Sequence, residues 1–237
     1  MAGPTPCRSP IARYAGKTMP DLNPHMQTPL SVFDAPAGNA KLAAILVHGR
    51  GQSPALMHEL LVSRISHPGV AWFAPLAADN SWYPERFIAP LDTNEPRLSQ
   101  ALERIDVLSE ALLAMGFPYA SQVLVGFSQG ACLCSEFLWR QRRRYAGLIA
   151  FSGGLIGPPG MPRDGSHREL EGMPVLLSTW DRDPHVPADS VRESASWFRA
   201  VGADVTLRVE PGSEHGIRDA EIAYANTLLA ACAPGTC

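Results

Sequence analysis

The 237-residue sequence predicts an α/β fold, a mostly parallel central sheet with helices on both faces, and three observations carry that prediction. Short, continuously apolar runs such as residues 42–47 have no polar face, as strands covered on both sides require. Those runs alternate with longer segments whose apolar residues recur at helical spacing, the pattern of strands joined by crossover helices. Third, Val123-Leu124-Val125 runs straight into Gly126-Phe127-Ser128-Gln129-Gly130, and a helix-prone apolar stretch, residues 131–139, follows. A buried strand, a tight G-x-S-x-G turn and a helix would lift the serine hydroxyl clear of the sheet.

Taken in order, residues 1–26 are rich in proline, with glycine, serine and threonine, and read as a flexible extension. Met19 is an alternative start, which leaves the translation of residues 1–18 open. Residues 27–237 are expected to form one domain, a size common for single α/β units. Within it, residues 28–33 predict an edge strand, ended by the turn-rich Asp34-Ala35-Pro36-Ala37-Gly38-Asn39. Residues 42–47 predict the next strand. His48-Gly49-Arg50-Gly51-Gln52-Ser53 breaks it, and Pro54 opens a helix over residues 55–65 with Ser53 as cap.

Residues 70–76 form the next expected strand, followed by an irregular stretch, 77–95, that holds Trp82, Tyr83 and Phe87. Leu98, Ala101, Leu102, Ile105, Leu108, Leu112 and Met115 lie on one face of a helix over residues 97–115, stopped by Gly116. After the serine turn and its helix, residues 148–151 predict a strand ended by Ser152-Gly153-Gly154, and residues 157–172 a loop. A strand at 174–179, a helix at 190–201 capped by Asp189, a last strand at 205–209 and a final helix at 217–231 complete the chain.

Composition excludes several classes. A net charge of −3 gives no reason to expect a nucleic-acid partner. The basic cluster Arg140-Gln141-Arg142-Arg143-Arg144 reads as a solvated helix C-terminus. The cysteines, Cys7, Cys132, Cys134, Cys232 and Cys237, are odd in number and lack C-x-x-C, which argues against a disulfide framework and for a reducing compartment. Cys132 and Cys134 fit small core positions. No apolar stretch reaches the roughly 18 residues of a membrane span, and no apolar signal region opens the chain. A cytoplasmic location without stable membrane insertion is therefore expected. H-E-x-x-H is absent and the histidines are scattered, so neither a metal nor a cofactor is expected.

A serine hydroxyl needs a base to take its proton, and the base needs an acid to fix its tautomer. In this architecture the chain order is serine, acid, histidine. Three histidines follow Ser128. His167 precedes any acid-bearing loop, and His185 sits within that loop. His215, in Pro211-Gly212-Ser213-Glu214-His215-Gly216, directly follows the last strand and is the expected base. Asp181 and Asp183 both stand at the strand end where the acid belongs, and topology leaves the two open. For the oxyanion, one donor is the backbone N–H of Gln129, the residue after the serine; the other belongs on the loop after the early strand. His48 reads as a brace for that loop, and Ser152 lacks the turn of a nucleophile.

His48-Gly49-Arg50-Gly51, Gly126-Phe127-Ser128-Gln129-Gly130, Phe151-Ser152-Gly153-Gly154, Asp181-Arg182-Asp183-Pro184-His185-Val186-Pro187 and Glu214-His215 occur in one order. Together they resemble the phospholipase/carboxylesterase family of α/β-hydrolases, which includes acyl-protein thioesterases and is related to dienelactone hydrolases. The resemblance spans residues 28–229. It implies an α/β-hydrolase fold without a large lid domain, and a Ser128, Asp183, His215 triad, with Asp183 as the acid of Asp-x-x-Val-Pro. It also implies that Arg50 N–H is the second oxyanion donor and that the segment holding Trp82 and Phe87 borders the substrate. Thr179-Trp180 stands where the family usually has His-Gly, so Trp180 is expected to alter the wall near the triad.

The expected function is hydrolysis of carboxylic esters or thioesters of small to medium acyl groups through an acyl-enzyme. The alternatives are an acyl-protein thioesterase or lysophospholipase acting on long acyl chains, or a non-catalytic ligand receptor. The expected partner is a small ester or thioester, and a homodimer stays open.

Overall fold

The computed structural model describes residues 22–33, 40–67 and 69–232. Its seven strands are β1 (Leu30–Phe33), β2 (Leu42–Val47), β3 (Val70–Pro75), β4 (Gln122–Phe127), β5 (Gly147–Phe151), β6 (Pro174–Trp180) and β7 (Asp204–Glu210). They form one sheet in the order β1-β3-β2-β4-β5-β6-β7. Only β1 runs antiparallel, against β3; every other pair is parallel. Among the described residues five α-helices accompany it, α1 (Pro54–Leu60), α2 (Arg97–Ala114), α3 (Gln129–Gln141), α4 (Ala188–Ala200) and α5 (Asp219–Cys232). This is the mostly parallel α/β architecture that the alternating pattern predicts, and it is the α/β-hydrolase-like fold that the resemblance implies.

The continuously apolar strands are buried on both faces, and successive residues divide between two cores. Ile45 and Leu124 pack with Leu98, Ile105, Phe137 and Phe198 on the side of α2, α3 and α4. Leu46 and Val125 pack with Met57, Ile222 and Leu229 on the side of α1 and α5. The strand order reverses at β2, which has β3 on one side and β4 on the other. In a parallel sheet such a reversal opens a crevice beyond the carboxyl ends of the strands. Val47 pairs with Gly126 and Phe127 with Phe151, so the ends of β2, β4 and β5 meet at that crevice.

Several expectations need correcting. Residues 1–21, with Cys7, the Asp34–Asn39 turn, and Cys237 lie outside the described residues. Residues 22–26, however, are not an extension. Asn23 caps a 3-10 turn, Pro24–Gln27, and its Nδ2 donates to Gln100 O at 2.7 Å and Glu103 Oε2 at 2.9 Å, while His25 is fully buried. Polar side chains make these contacts, so no apolar periodicity announces them. Ser53 caps α1 as expected, accepting from Leu56 N–H at 3.3 Å, but the helix ends early, where Leu61 leaves helical geometry. Asp189 is no cap: α4 starts one residue before it, and its carboxylate pairs with Arg192. The basic cluster after α3 is ion-paired rather than simply solvated, through Arg140–Glu136, Arg142–Glu169 and Arg143–Asp106.

Candidate active site

Ser128 stands between β4 and α3 with φ 54° and ψ −120°, a region that side chains rarely adopt. Its N–H donates to Phe151 O at 2.9 Å, which ties the turn to the next strand. The glycines on either side are steric necessities. A Cβ on Gly126 would lie 2.5 Å from the Gly130 carbonyl, and one on Gly130 would lie 2.1 Å from Val47 O. The helix α3 begins at Gln129, so its N-terminal dipole points at the serine.

The structure brings Ser128, Asp183 and His215 together. Ser128 Oγ lies 2.8 Å from His215 Nε2, and His215 Nδ1 lies 2.8 Å from Asp183 Oδ2. The Asp183 carboxyl is fully buried, and its other oxygen accepts from His185 N–H at 2.8 Å and Val186 N–H at 3.0 Å. An acceptor saturated in this way fixes Nδ1 as the protonated nitrogen and leaves Nε2 free to accept from the serine. The His215 ring rests against Phe127 at 5.0 Å and meets the His185 ring edge-on at 4.9 Å.

The two aspartates that topology left open have separate tasks. Asp181 Oδ1 accepts from Gly212 N–H at 2.8 Å and so ties down the loop that carries His215, whereas Asp183 faces the imidazole. Trp180 acts on the same loop. Its indole lies under the Arg218 guanidinium at 4.4 Å, and Nε1 donates to Gly216 O at 3.4 Å. It does not line the cavity, contrary to expectation; it supports the His215 loop from behind.

The cavity beside Ser128 has a volume of about 440 Å³, within the range of small-molecule sites. Phe87 lines it, together with Arg50, Tyr83, Arg86, Gln129, Cys132, His185 and Val186. Trp82 does not. It is fully buried between the rings of His25 and His48, at 5.3 and 5.1 Å, and its Nε1 donates to His48 O at 2.9 Å. Within the aromatic segment the apolar side chains therefore divide, Trp82 into the core and Tyr83 and Phe87 to the cavity. Cys132 is a core residue that also reaches the cavity; burial pushes its thiol up to about 12, so it carries no thiolate near neutral pH. Arg86 and His185 were missed as lining residues. The only signal was their position, one inside the aromatic segment and the other inside Asp-x-x-Val-Pro.

The loop after β2 is shaped for close backbone approach. Gly49 N–H donates to Gln52 Oε1 at 2.9 Å and Gly51 N–H to Asn80 O at 2.7 Å, so the amides flanking Arg50 are both engaged. His48 braces the loop from below. Its Nε2 accepts from Ala77 N–H at 3.0 Å and its Nδ1 donates to Gly49 O at 2.7 Å, the neutral tautomer, and burial lowers its pKa. Gln129 uses its side chain as a strut, accepting from Trp82 N–H at 2.9 Å and donating to Tyr83 O at 2.7 Å.

A parallel sheet with a strained serine at its topological reversal, hydrogen-bonded to a histidine from beyond the last strand, defines an α/β-hydrolase. The chain belongs to the phospholipase/carboxylesterase family, a family of carboxylic ester hydrolases, whose sequence model matches residues 30–233. Among solved structures, it is 35% identical to a phospholipase/carboxylesterase from Dyadobacter fermentans, covering 86% of this chain and 97% of that one, with a TM-score of 0.76. Esterase PE8 is 27% identical, with 86% and 97% covered and a TM-score of 0.68. Acyl-protein thioesterase 1 of Cryptococcus neoformans is 31% identical over 127 residues, which cover 46% of this chain and 52% of that protein. The chain thus spans about half the length of the curated relatives it matches. No helix among the described residues is long and apolar enough to cross a membrane.

Proposed function

We propose that the protein is a serine hydrolase that cleaves carboxylic esters or thioesters of small to medium acyl groups through an acyl-enzyme. The observation that carries this reading is the unbroken relay from Ser128 through His215 to Asp183, with both hydrogen bonds at 2.8 Å. His215 Nε2 takes the hydroxyl proton as Ser128 Oγ attacks the acyl carbonyl, and Asp183 stabilises the imidazolium that forms. The carbonyl oxygen gains negative charge beside the backbone N–H groups of Gln129 and Arg50, at the positive end of α3. His215 then protonates the departing alcohol or thiol. In the second half it activates a water that releases the acid and regenerates Ser128.

Compact substrates fit the cavity better than long acyl chains, because Arg50, Glu85 and Arg86 line it beside the apolar groups. A long apolar tail would have to desolvate those charges. The likeness to an acyl-protein thioesterase keeps thioesters within the substrate class.

Hydrolysis of p-nitrophenyl esters from acetyl to palmitoyl tests the reading, with wild type beside Ser128→Ala and with fluorophosphonate labelling of both. The expected result is a maximum at short chains, labelling of wild type alone, and a loss of about 10⁴-fold or more in kcat for the variant. Activity that survives in Ser128→Ala overturns the mechanism. Absence of both turnover and labelling leaves the ligand-receptor alternative, and a maximum at long chains moves the substrate class to lipid thioesters.

A further inference from the structure

The cavity carries more positive charge than its own residues neutralise. Most arginines outside the cavity pair with carboxylates, as in Arg64–Asp219, Arg97–Asp79 and Arg143–Asp106, although Arg199 is held by the Val205 carbonyl. Arg50 and Arg86, which both line the cavity, pair with none among the described residues. Arg50 Nη1 donates to Pro84 O at 2.5 Å and Nη2 to Glu85 O at 2.6 Å, and Arg86 Nη2 donates to His185 O at 3.2 Å. Backbone carbonyls hold a guanidinium in place without cancelling its charge. Each guanidinium has five N–H donors, so several remain on both for a ligand. Glu85 is the one carboxylate in the lining, and among the described residues both arginines are held by backbone carbonyls rather than by its carboxylate. Two cations against one anion face the cavity, and the second nearby carboxylate, Asp183, is fully buried behind His215, where it accepts from the His185 and Val186 N–H groups, so the exposed wall is positive.

The placement of these cations matters as much as their number. Arg50 belongs to the loop after β2, and its guanidinium lies over the Tyr83 ring at 6.0 Å. Arg86 is tethered to the backbone of His185, the residue whose ring meets His215 edge-on. Both stand beside Phe87 and Val186, which supply an apolar surface in the same cavity. A ligand that suits this wall has a short apolar body and a negatively charged end. Guanidinium forks match carboxylate and phosphate oxygens, which accept two parallel hydrogen bonds.

We infer that the substrate is a compact ester or thioester bearing an anionic group, carboxylate or phosphate, recognised by Arg86 and Arg50. This inference rests on the serine-hydrolase reading of the same site. The anion neutralises the wall and orients the acyl carbonyl over Ser128, so it raises kcat/KM over that of a neutral ester of the same length.

Two matched pairs test it: ethyl butyrate against monoethyl succinate, and 1-butyrylglycerol against 1-butyrylglycerol 3-phosphate, each followed by acid release. The anionic member of at least one pair is expected to be preferred by about tenfold in kcat/KM at low salt, the scale of one charge-assisted contact. That advantage should shrink as sodium chloride is raised, and Arg86→Gln or Arg50→Gln should cut the ratio by about threefold or more. Preference within the succinate pair identifies a carboxylate, and preference within the glycerol pair a phosphate. Equal rates, or preference for the neutral member in both pairs, overturn the inference and leave the hydrolase reading standing. So does absence of turnover of all four esters while Ser128 is still labelled by fluorophosphonate. Absence of turnover and of labelling overturns both.

Discussion

The serine turn and the aromatic segment at residues 81–87 border the same cavity, yet opposite means hold them in place. The turn is held by backbone sterics: two glycines pressed against neighbouring carbonyls, a serine forced to positive φ, and a strand on either side. The aromatic segment has no helix or strand of its own. Side chains reach in from four other places to satisfy its backbone, namely Gln129, Asn94, His25 and Arg50. The nucleophile is thus built on the most rigid packing available, and the substrate wall hangs from individual hydrogen bonds. Substitution of single side chains should reshape the wall and spare the turn, whereas any added atom in the turn should disturb the fold.

The largest effect expected from that contrast is at Gly130. Alanine there places a Cβ 2.1 Å from Val47 O, against backbone on β2 that cannot move without breaking the sheet. Gly130→Ala should cost at least about 3 kcal/mol, seen as a large fall in Tm or loss of soluble protein. An unchanged Tm would show that the turn is not the sterically locked element described above.

A smaller effect is expected at Gln129, the one residue that belongs to both regions. Its backbone N–H is one of the two oxyanion donors proposed above, while its side chain holds the Trp82 and Tyr83 backbone. Gln129→Ala leaves Trp82 N–H and Tyr83 C=O without those partners, at about 1–3 kcal/mol for each buried group left unsatisfied. Because the backbone donor is retained, KM for a short ester should rise by more than kcat falls. A collapse of kcat at constant KM would mean that the strut serves the serine rather than the wall.

The same division explains what was legible in the sequence. Residues 42–47 are the predicted strand to the residue, because a run buried on both faces has no polar positions to blur its ends. The G-x-S-x-G turn is legible because the sharp reversal shows in consecutive residues: Gly126 is demanded by the backbone of Gly130 and Ala131, whereas the contact that demands Gly130, with Val47 O, is distant in sequence. Asp183 and Asp181 are two residues apart on one loop, and only the resemblance chose between them. What separates them is a contact with Gly212, distant in sequence. The resemblance places the Trp82 segment and Trp180 at the cavity, Trp180 because it stands where the family usually has glycine. Their environments come from partners with no periodic signature: two histidines for Trp82, and Arg218 with the Gly216 carbonyl for Trp180. Residues 22–26 failed for the same reason, since Asn23 and His25 join the fold through polar atoms.

The subtlest effect concerns those histidines. His25 Nδ1 accepts from Ala78 N–H at 3.0 Å, so Nε2 carries the proton and donates to Trp82 O at 3.1 Å. Protonation would put a hydrogen on Nδ1 facing another N–H, in a site that desolvates the charge. Burial, with the nearby Arg97 charge, lowers the His25 pKa from 6.5 to about 4, and burial moves His48 in the same direction. Between those two values the unfolded chain binds a proton that the folded chain refuses. Stability is therefore complete above pH 6.5, falls as pH drops through the window, and levels off for this group below about 4. The slope is at most about 1.4 kcal/mol per pH unit for each histidine. Urea unfolding between pH 7 and 4.5, wild type beside His25→Gln, separates the contribution of His25 from that of the carboxylates that also titrate. The variant should be less stable at pH 7 and lose the difference as pH falls, because glutamine keeps no titrating group. Parallel curves would mean that His25 titrates in the folded protein as it does in the unfolded chain, and that the brace beneath the wall is looser than its hydrogen bonds indicate.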